Sequence, residues 1–206
     1  MKTISKIIIL GLVMVVALCY ANPASAESDF ATGAAAQSSG TGASVNLDFQ
    51  IVIPQFILFR VGSSGAAIDQ IGFAPTADQV ANATPGIAGT GGDVGSGTVT
   101  VRLVSNAGGV DITETNNSGG SGLTDGSGHS ISYGQINTAT NDGNLSAPSL
   151  SDASSNSVSI LPTSGNITVR QAQWTYTYDN PATIPEAGTY GGLANGGRVT
   201  YTAAIP

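Results

Sequence analysis

Residues 44–53 read SVNLDFQIVI. Val45, Leu47, Phe49, Ile51 and Ile53 alternate with Asn46, Asp48 and Gln50, and a period of two predicts a β-strand with one buried face and one wet face. Pro54 interrupts the run, because proline has no N–H to give to a ladder. Gln55–Val61 is then apolar at nearly every position, the pattern of a strand covered on both faces. The proline therefore marks a bend or bulge between two strand halves.

The same period recurs downstream. In Gly97–Ser105, Val99, Val101 and Leu103 share one face, and Thr98, Thr100 and Arg102 the other. Shorter strands are predicted at Gln70–Phe73, within an otherwise loop-like stretch over 62–96, and at Gly109–Thr113, Ser130–Ile136 and Ser157–Leu161. Turn chemistry separates them at Asn116–Gly122, Asp125-Gly126 and Asp142-Gly143. Asn166–Tyr178 reads as one long strand. Ile167 and Val169 are out of phase with Ala172, Trp174, Tyr176 and Tyr178, so a bulge is predicted near Arg170-Gln171. Val199, Tyr201, Ala203 and Ile205 alternate at the C-terminal end, and no segment sustains a helical period beyond two turns. Short strands at near-regular spacing imply an all-β chain, a single antiparallel β-sandwich with long Gly/Ser/Asn-rich loops.

The organisation expected around that domain is simple. Residues 1–26 have the form of a secretory signal peptide: Lys2 and Lys6, an apolar run from Ile7 to Leu18, and Ala24-Ser25-Ala26 as the cleavage site. Residues 27–43 are small and polar with one large apolar side chain, Phe30, and read as a flexible arm before a domain over 44–206. The implied location is the cell surface or extracellular space, reached through the periplasm. The apolar run is short for a membrane span, and no later segment could cross a bilayer as a helix.

Composition narrows the function classes. With the signal removed the chain has no lysine. Arg60, Arg102, Arg170 and Arg198 stand against 13 acidic residues, a formal charge of −9. Nucleic acid and anionic lipid need clustered cations and are poor partners for such a chain; no nucleic acid is expected. Only 9% of residues are charged, against about 25% in ordinary soluble domains. A surface of Thr, Ser, Asn, Ala and Gly suits packing against further copies, since few charges would have to be desolvated.

Residue types for chemistry are sparse. Cys19, the one cysteine, lies in the signal peptide, and Leu18 before it is too large for a lipobox, so neither disulfide nor thiol chemistry is expected. His129 is the one histidine and sits in a Gly-rich loop, so no base for a hydrolytic triad is expected and no catalytic residue is assigned. Zinc ligands are lacking, and neither Asp125 with Ser127 nor Asn141–Asn144 fits a calcium loop, so no metal or other cofactor is expected. Two carboxylates in a cleft would suffice for a glycosidase, but scattered acids do not single out a pair. Trp174, Tyr176 and Tyr178 lie two apart on one side of a strand and form a possible sugar-stacking face; packing in the core is the competing reading. Asn82, Asn144 and Asn166 each begin a glycosylation sequon.

The ends of the chain are its most distinctive part. A small-residue arm precedes the domain, and an alternating strand with an aromatic at Tyr201 closes it. Gly192 stands 14 residues before Pro206. In this the chain resembles fimbrial subunits of the chaperone–usher kind, which are exported Ig-like sandwiches whose last strand alternates, with an aromatic near its end and a glycine upstream. Tyr201 lies further from the end than the family's aromatic, and the pilin disulfide has no counterpart. The resemblance implies a subunit that lacks one strand and receives it from the arm of the next copy. It also implies a periplasmic chaperone and an outer-membrane usher as partners. Phe30 and alanines are the only groove-fillers within 27–43, which extends the expected donor into Val45–Ile53. The assembly candidates are then Phe30, Val45, Leu47, Phe49, Ile51 and Ile53 on the donor side, and Val199, Tyr201, Ala203 and Ile205 on the closing strand. The expected product is a homopolymeric pilus or matrix fibre. A monomeric β-sandwich adhesin for surface glycans is the alternative.

Overall fold

The structure, a computed structural model, describes residues 28–33, 42–152 and 155–206. The expected signal peptide and Cys19 lie outside the described residues. Contacts divide the chain into two units, Met1–Val52 and Ile53–Pro206. Among the described residues every sheet belongs to the second unit. No described helix is long and apolar enough to cross a membrane.

The fold is all-β. Its longer strands are β1 (Ile57–Val61), β5 (Thr98–Ser105), β6 (Val110–Asn116), β9 (Ile136–Thr140), β10 (Asn156–Ile160), β11 (Thr168–Tyr178) and β12 (Val199–Ala204). Two-residue strands β2 (Ile71–Gly72), β3 (Ile87–Ala88), β4 (Thr90–Gly91), β7 (Leu123–Thr124) and β8 (Ser130–Ile131) complete the set. A five-stranded sheet runs β1–β5–β11, with β9 on the other side of β11 and β3 extending the line of β5. A three-stranded sheet runs β10–β6–β12. All pairings are antiparallel.

Both sheets contribute to one core. Val99, Val101, Leu103, Ala172, Trp174 and Tyr176 from the larger sheet meet Val110, Ile112 and Ile160 from the smaller. Alternation explains the arrangement: in β5 the odd-numbered residues go inward, and Arg102 remains outside. Tyr133, on a single 3-10 turn, closes one part of the core and donates from its hydroxyl to the Gly196 carbonyl at 2.6 Å.

Several expectations are corrected. Residues 44–53 form no strand, and both their apolar and polar side chains are exposed. Alternation prescribes an extended backbone, but a strand exists only where a neighbour accepts its hydrogen bonds, and none is present among the described residues. The strand predicted over Gln55–Val61 begins at Ile57, and Phe56 and Leu58 face solvent, so it is covered on one face only. The bulge at Arg170-Gln171 is absent: register continues unbroken from Thr168 opposite Ser105 to Thr175 opposite Thr98. Ile167 and Val169 point outward instead, and half-buried Arg170 takes the inward place at the end of the sheet. Ser130–Ile136 is divided by the 3-10 turn at Tyr133–Gln135. A short helix, α1 (Ala77–Ala81), occupies part of the expected loop, where Thr76 and Gln79 form a capping box.

Candidate assembly site

The two central strands and the two strands on one flank repeat the same inward pattern with different outcomes. On β5 and β6 the inward side chains are sealed: Val101, Leu103 and Ile112 are all 0% exposed. On β1 the inward Ile57, Phe59 and Val61 are only half-buried, as are Val199, Tyr201 and Ala203 on β12. Residue types do not account for this, since all are apolar and in phase. The missing factor is a neighbour. Among the described residues β1 pairs only with β5 and β12 only with β6, and the two approach each other across the sheets. Along that flank the inward side chains are partly exposed, and each strand has a sheet edge with no described strand beside it, which is a ready template for another strand.

Polar contacts brace the floor of this seam. The Tyr201 hydroxyl pairs with that of Tyr176 at 2.9 Å, joining the two sheets. Trp174 packs edge-on against Tyr201, with ring centroids 5.3 Å apart. Burial raises the Tyr176 phenol to about 12 and also pushes Tyr201 upward, so both remain neutral donors. Glu114, fully buried on β6 opposite Tyr201, accepts from the Asn116 amide at 3.1 Å, and its second oxygen has no hydrogen-bond partner among the described residues. Its phase with Val110 and Ile112 is the one signal of burial in the sequence, and the strand predicted over Gly109–Thr113 stops one residue short of it.

The donor-side candidates are as exposed as the seam is open. Phe49 is 86% exposed and Ile51 85%, and Val45, Leu47 and Ile53 are likewise uncovered. Phe30 is exposed too, and the Asp29 carboxylate accepts from the backbone N–H groups of Phe30 and Ser44, which holds its pKa below the usual range. Ile205 lies just past the end of β12 and faces solvent.

The possible ligand face is overturned. Trp174 is 0% exposed, and Tyr176 and Tyr178 are buried beside it. The Trp174 indole N–H donates to the Leu145 carbonyl at 2.8 Å, and Tyr178 packs against Phe73. Their common phase on β11 turns all three rings into the core, leaving no ring face for a sugar.

His129 meets Asp125 through Nδ1 at 2.7 Å on the β7–β8 hairpin. The contact raises the imidazole pKa, and with the backbone N–H of Ser127 it lowers Asp125 to about 2. Both belong to an exposed turn, and among the described residues no hydroxyl is hydrogen-bonded to the other ring nitrogen. Among the described residues no three His, Cys, Asp or Glu side chains converge as metal ligands.

Asn106, immediately after β5, escaped the sequence reading. Its carboxamide accepts from the Phe56 N–H at 2.9 Å and donates to the Pro54 carbonyl at 2.8 Å. An asparagine before Ala-Gly-Gly reads as turn chemistry, and only the register reveals what it touches.

Comparison with family models, with curated proteins and with solved structures finds no match for this chain.

Proposed function

We propose that this chain is the subunit of an extracellular fibre, exported across the inner membrane and polymerised by strand donation. One pairing of observations carries this reading: a seam with half-buried inward residues between β1 and β12, and an exposed stretch, Val45–Ile53, with the alternation that a strand filling such a seam requires. Strand order supports it. An immunoglobulin-type sandwich pairs strands as A-B-E-D and C-F-G. The order β1–β5–β11–β9 is that of A-B-E-D and the pair β6–β12 that of C and F, while β10, which pairs with the other edge of β6 and follows β9 in the chain, has no counterpart in that scheme. Among the described residues no strand occupies the place of G beside β12.

The dimensions agree. Val45–Ile53 in extended form is about 27 Å long, enough to line β12, which spans about 17 Å. Its apolar side chains would enter the seam, and Asn46, Asp48 and Gln50 would face water. Until a second copy arrives the open flank invites aggregation, which is the reason for a periplasmic chaperone and an outer-membrane usher as partners. No observation favours the glycan-binding monomer, whose aromatic face is core.

The test is electron microscopy and denaturant-resistant electrophoresis of the mature chain, with and without a synthetic peptide of residues 44–53. Filaments from the chain alone, capped to single subunits by excess peptide, are expected. A chain that remains monomeric and ignores the peptide would overturn the reading.

A further inference from the structure

Strand exchange sets a problem that the junction between donor and domain must solve, and the role assigned to that junction rests on the proposed function. Donor and groove are carried by one molecule, with only Pro54, Gln55 and Phe56 between Ile53 and β1. A tethered segment faces its own groove at an effective concentration of millimolar order, far above that of a neighbour in dilute solution. Self-insertion would therefore end polymerisation before it began, unless geometry forbids it.

Direction states what self-insertion needs. β1 is antiparallel to β5. Residues 106–109 join β5 to β6 in the opposite sheet, so β6 runs back over β5, and β12 is antiparallel to β6. β12 consequently runs opposite to β1. A donor segment entering its own groove must reverse at residues 54–56 and lie parallel to β12. A segment from another copy has no such tether and can pair antiparallel, the slightly stronger arrangement.

The junction is built against that reversal. Ile57 stands opposite Ser105, so the next rung outward would join Phe56 to Asn106. The Asn106 side chain makes that rung instead of its backbone, bonding both the carbonyl before Gln55 and the N–H after it. These two groups point the same way, towards one neighbour, when Gln55 is extended. We propose that Asn106 is a positioning residue for assembly: its carboxamide holds Pro54–Phe56 as a continuation of β1 and so denies the donor segment its own groove, leaving the groove of a second copy as its destination.

The experiment refolds the mature chain and its Asn106→Ala and Asn106→Asp variants at low micromolar concentration. Polymer is measured by sedimentation, and hydrogen exchange is followed at residues 45–53 of the monomer fraction. Aspartate keeps the acceptor for Phe56 and the side-chain size but sets a carboxylate against the Pro54 carbonyl, so it reports the clamp even where alanine fails to fold. Exchange at β5 and β6 verifies folding. Expected are fast exchange at 45–53 in wild-type monomer, and in the variants at least a tenfold slowing there, a matching loss of polymer and a monomer that melts higher than wild type. A side chain of merely structural importance would lower the melting temperature and leave 45–53 unprotected. Either that result, or variants that polymerise as fast and as fully as wild type, overturns the role of Asn106 while strand exchange stands. A wild-type chain that neither polymerises nor binds the 44–53 peptide overturns both.

Discussion

Val45–Ile53 and Thr98–Ser105 carry the same message in their side chains and end in opposite surroundings. Each alternates apolar and polar residues with period two. Thr98–Ser105 lies between β1 and β11, with both edges hydrogen-bonded and Val101 and Leu103 sealed from water. Val45–Ile53 has no strand neighbour among the described residues, and its Phe49 and Ile51 are almost wholly exposed. The difference lies in the supply of partners. A period of two specifies conformation and facing, and the neighbouring strand is a separate condition that the chain meets for one stretch and leaves open for the other. A strand-like pattern without a partner is costly in a lone molecule, where it exposes apolar surface at about 25 cal/mol per Å². It becomes useful when another copy supplies the edge.

The largest effect should come from breaking the exposed stretch. Phe49→Asp combined with Ile51→Asp places charges where a dry groove would receive them, and burying an unpaired carboxylate is prohibitive. Filament formation should vanish by electron microscopy, while the unassembled protein keeps its thermal melting point. Filaments of normal yield would break the contrast between the two stretches. In the unassembled protein the opposite holds for the core. Trp174→Ala should cost about 3–5 kcal/mol by urea denaturation, because it removes a fully buried indole that the sugar-stacking reading would set on a surface. Leu103→Ala should cost about 2–5 kcal/mol, and Leu47→Ala less than about 0.5 kcal/mol. Equal costs for the two leucines would mean that Val45–Ile53 already has a partner within the monomer.

The sequence carried the strands better than their relations. Thr98–Ser105, Asn156–Ile160, the aromatic face of Thr168–Tyr178 and Val199–Ala204 were legible because each has a wet face and a dry one. Ile167 and Val169 misled, since a phase change suggests a bulge when apolar residues are assumed to point inward. They lie on the outer face, which a sheet tolerates at its periphery. The exposed state of Val45–Ile53 was beyond pattern reasoning, for the same reason that its alternation was easy to see. The open seam was also invisible, because the half-burial of Phe59 and Tyr201 depends on which strands flank them. Asn106 and Glu114 were missed outright, as neither a turn asparagine nor a lone acid announces its partners.

A smaller effect tests how rigid the open flank is. Tyr201→Phe removes the hydroxyl pair with Tyr176 and leaves the Trp174 contact intact. A net loss of about 1 kcal/mol is expected in the unassembled protein. In assembled filaments the donated strand would brace β12 from its other side, so the same substitution should leave their dissociation in denaturant nearly unchanged. A larger loss in filaments than in monomers would show that the seam is held from within.

The smallest effect belongs to a hairpin that neither stretch touches, and it serves as a control on the comparison. In the folded hairpin the His129 imidazole pKa is raised above 6.5, so its pairing with Asp125 contributes stability below pH 6.5 and loses it as pH rises through the folded value. Asp125 is depressed from 3.8 to about 2, so its contribution is present above pH 3.8 and is lost as pH falls towards 2. The pair is therefore fully effective between those limits, and because the imidazole is half exposed on a surface hairpin its effect on global stability is small. Proton NMR should show the His129 ring titrating above 6.5, and Asp125→Asn should bring it back towards that value. Filament yield should not follow this titration. A yield that rose and fell with the charge on His129 would place the β7–β8 hairpin in the assembly contact, and the division between a donor stretch and an otherwise passive domain would have to be redrawn.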